Sequence, residues 1–291
     1  MAKRKEIEIV IAPPPVHMVG DGFRVHTFFP SHHFDQARMS PFYLLDYNSK
    51  FEFSPSETPR GVGVHPHKGF ETVTIAYHGK VAHHDSAGNS GVIGEGDVQW
   101  MTAASGVLHK EYHEKEFSKK GGTFQMVQLW VNLPAIHKKA QPKYQPILYS
   151  EMGKYHLAEN LSVINIIAGN YKGIEGPAST FTPIEMYDIR LNKNASLNLS
   201  LPVHYSTSVL IIEGEVMVNN EKVDENHLVL FQNNGTDFEI SALIKSTILL
   251  LSGEPINEPI FQYGPFLMNT RQEIEEAMNE LNSGKFGHLE D

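Results

Sequence analysis

Apolar and polar positions alternate in short runs along most of the chain, and Gly, Asn and Pro break the runs. Residues 72–78 place Val73, Ile75 and Tyr77 on one face of a strand that ends at His78-Gly79. Further strands are predicted over residues 80–84, 97–101 and 124–131, with turns at residues 86–91 and at Ala104-Ser105-Gly106. The second half has the same texture: strands over residues 208–212, 216–218, 227–231 and 246–251, with a turn at Asn219-Asn220. Short strands at close spacing with Gly-rich turns predict an all-β antiparallel sandwich or barrel. His78-Gly79-Lys80 superposes on Glu213-Gly214-Glu215, which points to a weak internal duplication on the scale of a whole domain. A length of 291 residues fits two domains. Pro134, Pro142 and Pro146 mark the stretch between the halves as a linker.

One helix is announced, close to the end. Thr270-Arg271-Gln272-Glu273 has the capping-box pattern, in which hydroxyl and carboxylate each satisfy a free backbone N–H. Ile274, Ala277, Met278 and Leu281 follow at helical spacing, and Gly284 supplies the stop. A helix this short needs a docking surface, so Ile274, Met278 and Leu281 are expected to be buried against a β-domain.

Composition narrows the chemistry. With 24 Lys+Arg against 34 Asp+Glu the chain carries −10, which disfavours direct nucleic-acid binding by charge. The absence of cysteine excludes disulfides, Cys-ligated zinc, iron–sulfur clusters and thiol catalysis. No apolar run reaches the roughly 20 residues of a membrane helix, and Glu6 and Glu8 interrupt any secretory core behind Lys3-Arg4-Lys5. A cytoplasmic protein without membrane contact is expected.

Histidine is the unusual residue: 11 of the 16 lie within the first 113 positions. In the pairs His32-His33 and His83-His84, neighbours on a strand face opposite ways, so at most one of each pair enters an interior. His65-Pro66-His67 differs. Its i, i+2 spacing puts both imidazoles on one face, and the proline favours extended geometry. His109-Lys110-Glu111 repeats that spacing with an imidazole and a carboxylate. Two such pairs on neighbouring strands can converge on one cation. The order His65, His67, Glu71, Gly79, Gly96-Asp97, His109 also follows the metal-binding pattern of cupins, which are jelly-roll barrels. Glu71 and Glu111 therefore compete as the carboxylate ligand. Glu71 shares parity with His67 across a glycine that permits a bulge, whereas nothing irregular is expected between His109 and Glu111.

Longer blocks resemble the pirin family: Pro13-Pro14-Pro15 with residues 20–25 (GDGFRV), residues 65–74 (HPHKGFETVT), 91–111 (GVIGEGDVQWMTAASGVLHKE), 128–134 (QLWVNLP) and 264–270 (GPFLMNT). The resemblance implies two tandem cupin domains with one metal in the first. Carried onto matching positions, it implies His65, His67, His109 and Glu111 as ligands. The implied organisation is an N-terminal segment over residues 1–12, a metal-binding cupin over 13–134, a linker over 135–148, and a degenerate cupin over 149–291 that ends in a helix over 270–283. In the duplicated register Ser200 and Pro202 stand where His65 and His67 do, and His204 and His227 lack a paired ligand, so the second domain is expected to be metal-free.

The family favours Fe(II), while three imidazoles and a carboxylate also suit Mn, Ni, Cu or Zn. The resemblance further implies a quercetin 2,3-dioxygenase activity: flavonol ring cleavage by O₂ with release of CO, and Glu111 as general base. The family's other reading is an iron-dependent, redox-sensing regulator that binds a protein partner without turnover. A sugar-phosphate isomerase would need a cationic pocket, and Lys68 and Lys110 alone stand near the ligands.

Overall fold

The computed structural model describes residues 3–157 and 162–290. The chain divides into two compact units, each built from a seven-stranded and a four-stranded antiparallel sheet. In the first unit the large sheet runs in the order Lys143–Ile147, Val98–Thr102, Phe70–His78, Gly122–Asn132, Phe42–Phe53, Phe23–Phe29, His17–Val19. Its small sheet runs Gly61–His67, Val107–His113, Val81–Asp85, Ser90–Ile93. The second unit has the same seven-plus-four plan, with Ser206–Glu213 and Ser246–Gly253 central in its large sheet. Two tandem cupin barrels follow, and the predicted strands all lie within observed ones or within two residues of them.

The units are not cut where the sequence pattern divides the chain. One comprises the chain up to Pro14, His32–Pro41 and Ser150–Pro255; the other comprises Pro15–Ser31, Phe42–Tyr149 and the chain from Ile256 on. The N-terminal segment is therefore a strand of the C-terminal cupin: Ile7–Ile11 pairs with Leu228–Phe231, covering what would be an open sheet edge. The expected linker is also structured, within the unit that holds Phe42–Tyr149. Lys143–Ile147 extends the large sheet beside Val98–Thr102. Lys138, fully buried, donates to the carbonyls of Gly69 (2.8 Å) and Leu267 (2.7 Å) and to Asn132 Oδ1 (2.7 Å). Proline spacing marks a break in regular pairing, and it says nothing about which side of the break buries a lysine.

The C-terminal helix Arg271–Asn282 has the predicted capping box, with Thr270 accepting from the Glu273 N–H. It belongs to the N-terminal cupin rather than to the domain that precedes it in sequence. Ile274 and Ala277 are buried with Phe266, Met268 and Phe286, and Leu281 packs partly against them. Met278, expected to be buried, is 39% exposed, because the docked face centres on Ile274 and Ala277. A second helix, Lys115–Lys120, escaped prediction; Glu114 caps it through two backbone N–H groups.

In the C-terminal unit an apolar cluster fills the core. Ile164, Tyr187, Val209, Ile211, Val229 and Leu250 belong to one buried cluster. His204 is largely exposed, 3.8 Å from Glu254, and His227 turns its Nδ1 to its neighbour Glu225's carbonyl.

Replacing Ile274 by Ala is expected to cost about 2–5 kcal/mol, whereas Met278→Ala should stay within about 0.5 kcal/mol. Denaturant midpoints of the two variants check this, and equal losses would contradict the docking face.

Candidate metal centre

The strand Val107–His113 alternates cleanly. Val107, His109, Glu111 and His113 are buried, and Leu108, Lys110 and Tyr112 are half-buried. At its lower end His113 donates to the Gly22 carbonyl (2.8 Å) and is packed by Phe23, Phe53, Phe117 and Phe124. On one side His109 stands opposite His65 and Val107 opposite His67; on the other His109 stands opposite Asp85 and Glu111 opposite His83. Cross-strand partners share a face. The register therefore gathers imidazoles from two strands at one place, where one ring nitrogen each of His65, His67 and His109 lies within 4.8 Å of the others.

The outer nitrogens are committed, and the inner ones of His67 and His109 are bare. His65 Nδ1 donates to the Gly63 carbonyl at 2.8 Å. His67 is hydrogen-bonded to the Pro265 carbonyl, which leaves its Nδ1 buried without a partner. His109 turns Nδ1 to His83 (3.5 Å), and its Nε2 is buried without a partner. Burial, and then the neighbouring imidazoles, hold His67 and His109 well below the ordinary imidazole range. Neutral rings with unpaired nitrogens facing one point are costly in a dry interior, and they are the donors a divalent cation takes. The residues present fit a metal.

The two carboxylates separate in the structure. The chain turns a corner at Gly69 (φ 90°) between the small and large sheets, so parity with His67 has no meaning for Glu71. Glu71 stands opposite Thr102 and accepts its hydroxyl at 2.7 Å. Thr74, of opposite parity on the same unbroken register, instead donates to Glu111 at 3.0 Å. Glu71 thus points to the other face of the large sheet. Glu111 points into the barrel with His109, although its carboxylate is not within the three-histidine cluster. Thr74 and Gln99 donate to its Oε1, and Gln128 donates to its Oε2 (2.5 Å). Oε2 keeps a free lone pair. The expectation of an undisturbed path between His109 and Glu111 holds against Val81–Asp85 and fails against Gly61–His67, where the pairing slips between these two residues.

Sequence reasoning missed the rest of the polar interior. His83 is fully buried, stacks on Tyr144 (4.9 Å, 14°) and contacts Asp85 Oδ2 at 3.2 Å, while His84 turns outward to Tyr112. Tyr144 donates to Gln99 Oε1 (3.3 Å), which aims the Gln99 amide N–H at Glu111. The available signal was His83-x-Asp85, a third i, i+2 pair. Burial opposes the Asp85 charge, but hydrogen bonds from His83 and Asn89 outweigh it and hold the carboxyl below its ordinary range.

Burial pushes Glu71 up to about 7, against the Thr102 hydrogen bond. The folded chain then holds a proton that the unfolded chain releases at about 4.5. This contribution is complete below that value and is lost as the pH rises through about 7, on the order of 3 kcal/mol. Glu71→Gln should flatten that part of the stability–pH profile without changing metal content. Loss of metal in this variant would restore Glu71 as a ligand.

Two family models match the chain: Pirin over residues 22–131 and the Pirin C-terminal cupin domain over 186–287. A Pseudomonas aeruginosa protein named "Putative quercetin 2,3-dioxygenase" is 45% identical over 270 residues, covering 93% of this chain and 94% of its own. Pirin-1 of Arabidopsis thaliana is 37% identical, over 87% of this chain and 85% of its own. The crystal structure of quercetin 2,3-dioxygenase from Acinetobacter baumannii superposes with a TM-score of 0.93 at 44% identity, covering 99% of this chain and all of that one. Matches at both cupins, with relatives aligned over nearly their full lengths, make this chain a member of the pirin family.

Proposed function

We propose that the chain is a metal-dependent dioxygenase that opens the central ring of a flavonol with O₂ and releases CO, as a quercetin 2,3-dioxygenase does. The observation that carries the reading is the His65, His67 and His109 cluster, with bare buried nitrogens on His67 and His109, beside a buried carboxylate with one free lone pair. The names of the relatives support it. The three histidines would hold the metal with Glu111 as the fourth ligand, Fe(II) first and Mn, Ni, Cu or Zn also suiting the donors. When bound, a metal supplies Lewis acidity and a path for electrons between an enolate and O₂.

The chain's own residues do the rest. Glu111 Oε2 takes the proton of the flavonol hydroxyl, as general base. Gln99, Gln128 and Thr74 fix the orientation of that carboxylate. Trp130, stacked on Phe70 at 4.2 Å and 5.3 Å from the His67 ring, gives a flat aromatic wall for a planar substrate.

His109→Ala should lose the metal that wild type binds, as read by elemental analysis; full occupancy in the variant would remove the assignment. Metal-loaded wild type should consume quercetin with stoichiometric CO. Glu111→Gln should slow turnover by about 10²–10⁴-fold even where metal is retained. Undiminished turnover in that variant would leave the reaction and remove the base. No quercetin loss by metal-replete wild type above the His109→Ala control would favour the regulatory, protein-binding reading.

A further inference from the structure

We infer that Asp85 and His83 form an outer shell behind the metal centre, a carboxylate–histidine–histidine chain that fixes the tautomer and orientation of His109. The inference rests on the metal reading above for its consequence, and on hydrogen-bond geometry for its substance.

The chain reads in one direction only. Asp85 accepts five hydrogen bonds: from the N–H groups of Ala87 (2.9 Å) and Asn89 (3.0 Å), twice from the Asn89 side chain (3.1 and 3.0 Å), and from His83 (3.2 Å). An ionised carboxylate only accepts, so His83 Nε2 carries the hydrogen. With its hydrogen on Nε2, His83 presents Nδ1 as an acceptor, and that atom faces His109 Nδ1 at 3.5 Å. A hydrogen on His109 Nδ1 has His83 as its acceptor, whereas one on Nε2 would be buried with none, so the geometry favours the hydrogen on Nδ1. That leaves His109 Nε2 as a lone pair, and it is the atom found buried without a partner. Each link is set by the one before it, beginning at a carboxylate outside the cluster.

A bland reading competes with this one. Asp85 could simply cap the turn after it, and His83 could simply fill space against Tyr144. The turn's backbone N–H bonds, however, all go to Oδ1. Oδ2 takes His83 together with the Asn89 side-chain amide. Stacking on Tyr144 holds the His83 ring in a fixed plane, so the ring presents its two nitrogens to Asp85 and His109 together. Outer-shell partners of this kind typically contribute 10–100-fold to metal affinity.

The two readings order the variants oppositely. His83→Gln keeps an acceptor for His109 and a donor for Asp85. His83→Phe keeps the aromatic stack and loses both. Co(II) titration of the metal-free full chain, read by visible absorption, should give Gln close to wild type and Phe weaker by about 10–100-fold. Phe binding as tightly as wild type, or more tightly than Gln, would overturn the inference in favour of packing. A measurement on unsubstituted protein keeps the question decidable if His83→Phe does not fold. Long-range ¹⁵N–¹H couplings in metal-free wild type, above the imidazole titration range, should show His109 as the Nδ1–H tautomer and His83 as the Nε2–H tautomer. The opposite tautomer on His109 would overturn the chain whatever Co(II) does. Those tautomers in a wild type that binds no Co(II) would support the hydrogen-bonded chain and sink the metal reading, so the two failures are distinguishable.

Discussion

The register of the strand Val107–His113 between its two neighbours is the constraint on which the site depends. Antiparallel pairing sets His109 opposite His65 on one side and opposite Asp85 on the other, and sets Glu111 opposite His83. A slip of one residue would turn His109 and Glu111 out to solvent and bring Lys110 into the barrel. The aromatic packing around His113 and the inward Val107 resist such a slip, because it would expose both. The geometry of the centre is thus guarded by apolar packing at the two ends of the same strand.

Keeping two carboxylates and several imidazoles in a barrel interior is costly, and the structure shows how the cost is met. Glu111 has two amides and a hydroxyl as donors, and Asp85 has the backbone of its own turn. The bare nitrogens of His67 and His109 are left over from this accounting. The C-terminal cupin gives the contrast. On the same strand plan its interior is filled by Ile, Leu, Val and Tyr, and its histidines stay at the surface. One architecture serves as a site or as a packed core according to what its inward positions carry.

The end of the chain braces the corner from which His67 comes. Pro265 offers its carbonyl to His67, and Lys68 reaches both the Ser105 carbonyl (2.5 Å) and Glu280 (2.8 Å). Lys138 ties Gly69 to Leu267. A Cβ on Gly69 would overlap the Leu267 carbonyl, so glycine at the corner serves both the positive φ and this close approach. Residues some 200 positions apart in sequence thereby orient the His67 imidazole.

The sequence by itself determined the strands with the clearest alternation, the duplication, the terminal helix and the three histidines, but not Phe23–Phe29, Phe42–Phe53 or Ile184–Leu191. Period-2 patterning, turn residues and i, i+2 spacing are local properties that survive without knowledge of the partner strand. It left Glu71 and Glu111 open, because the choice turns on which sheet each strand joins after the corner at Gly69. It misassigned both chain ends and the residues between the halves, because edge pairing of Ile7–Ile11 and burial of Lys138 depend on surfaces supplied from far along the chain. It placed Met278 in the core because helical spacing gives a face but not its centre. It passed over His83 and Asp85 because a histidine beside another histidine has no direction until cross-strand register gives it one. Tertiary structure decided these points for one physical reason: hydrogen-bond partners and buried faces are defined by neighbours across strands, and those neighbours are remote in sequence.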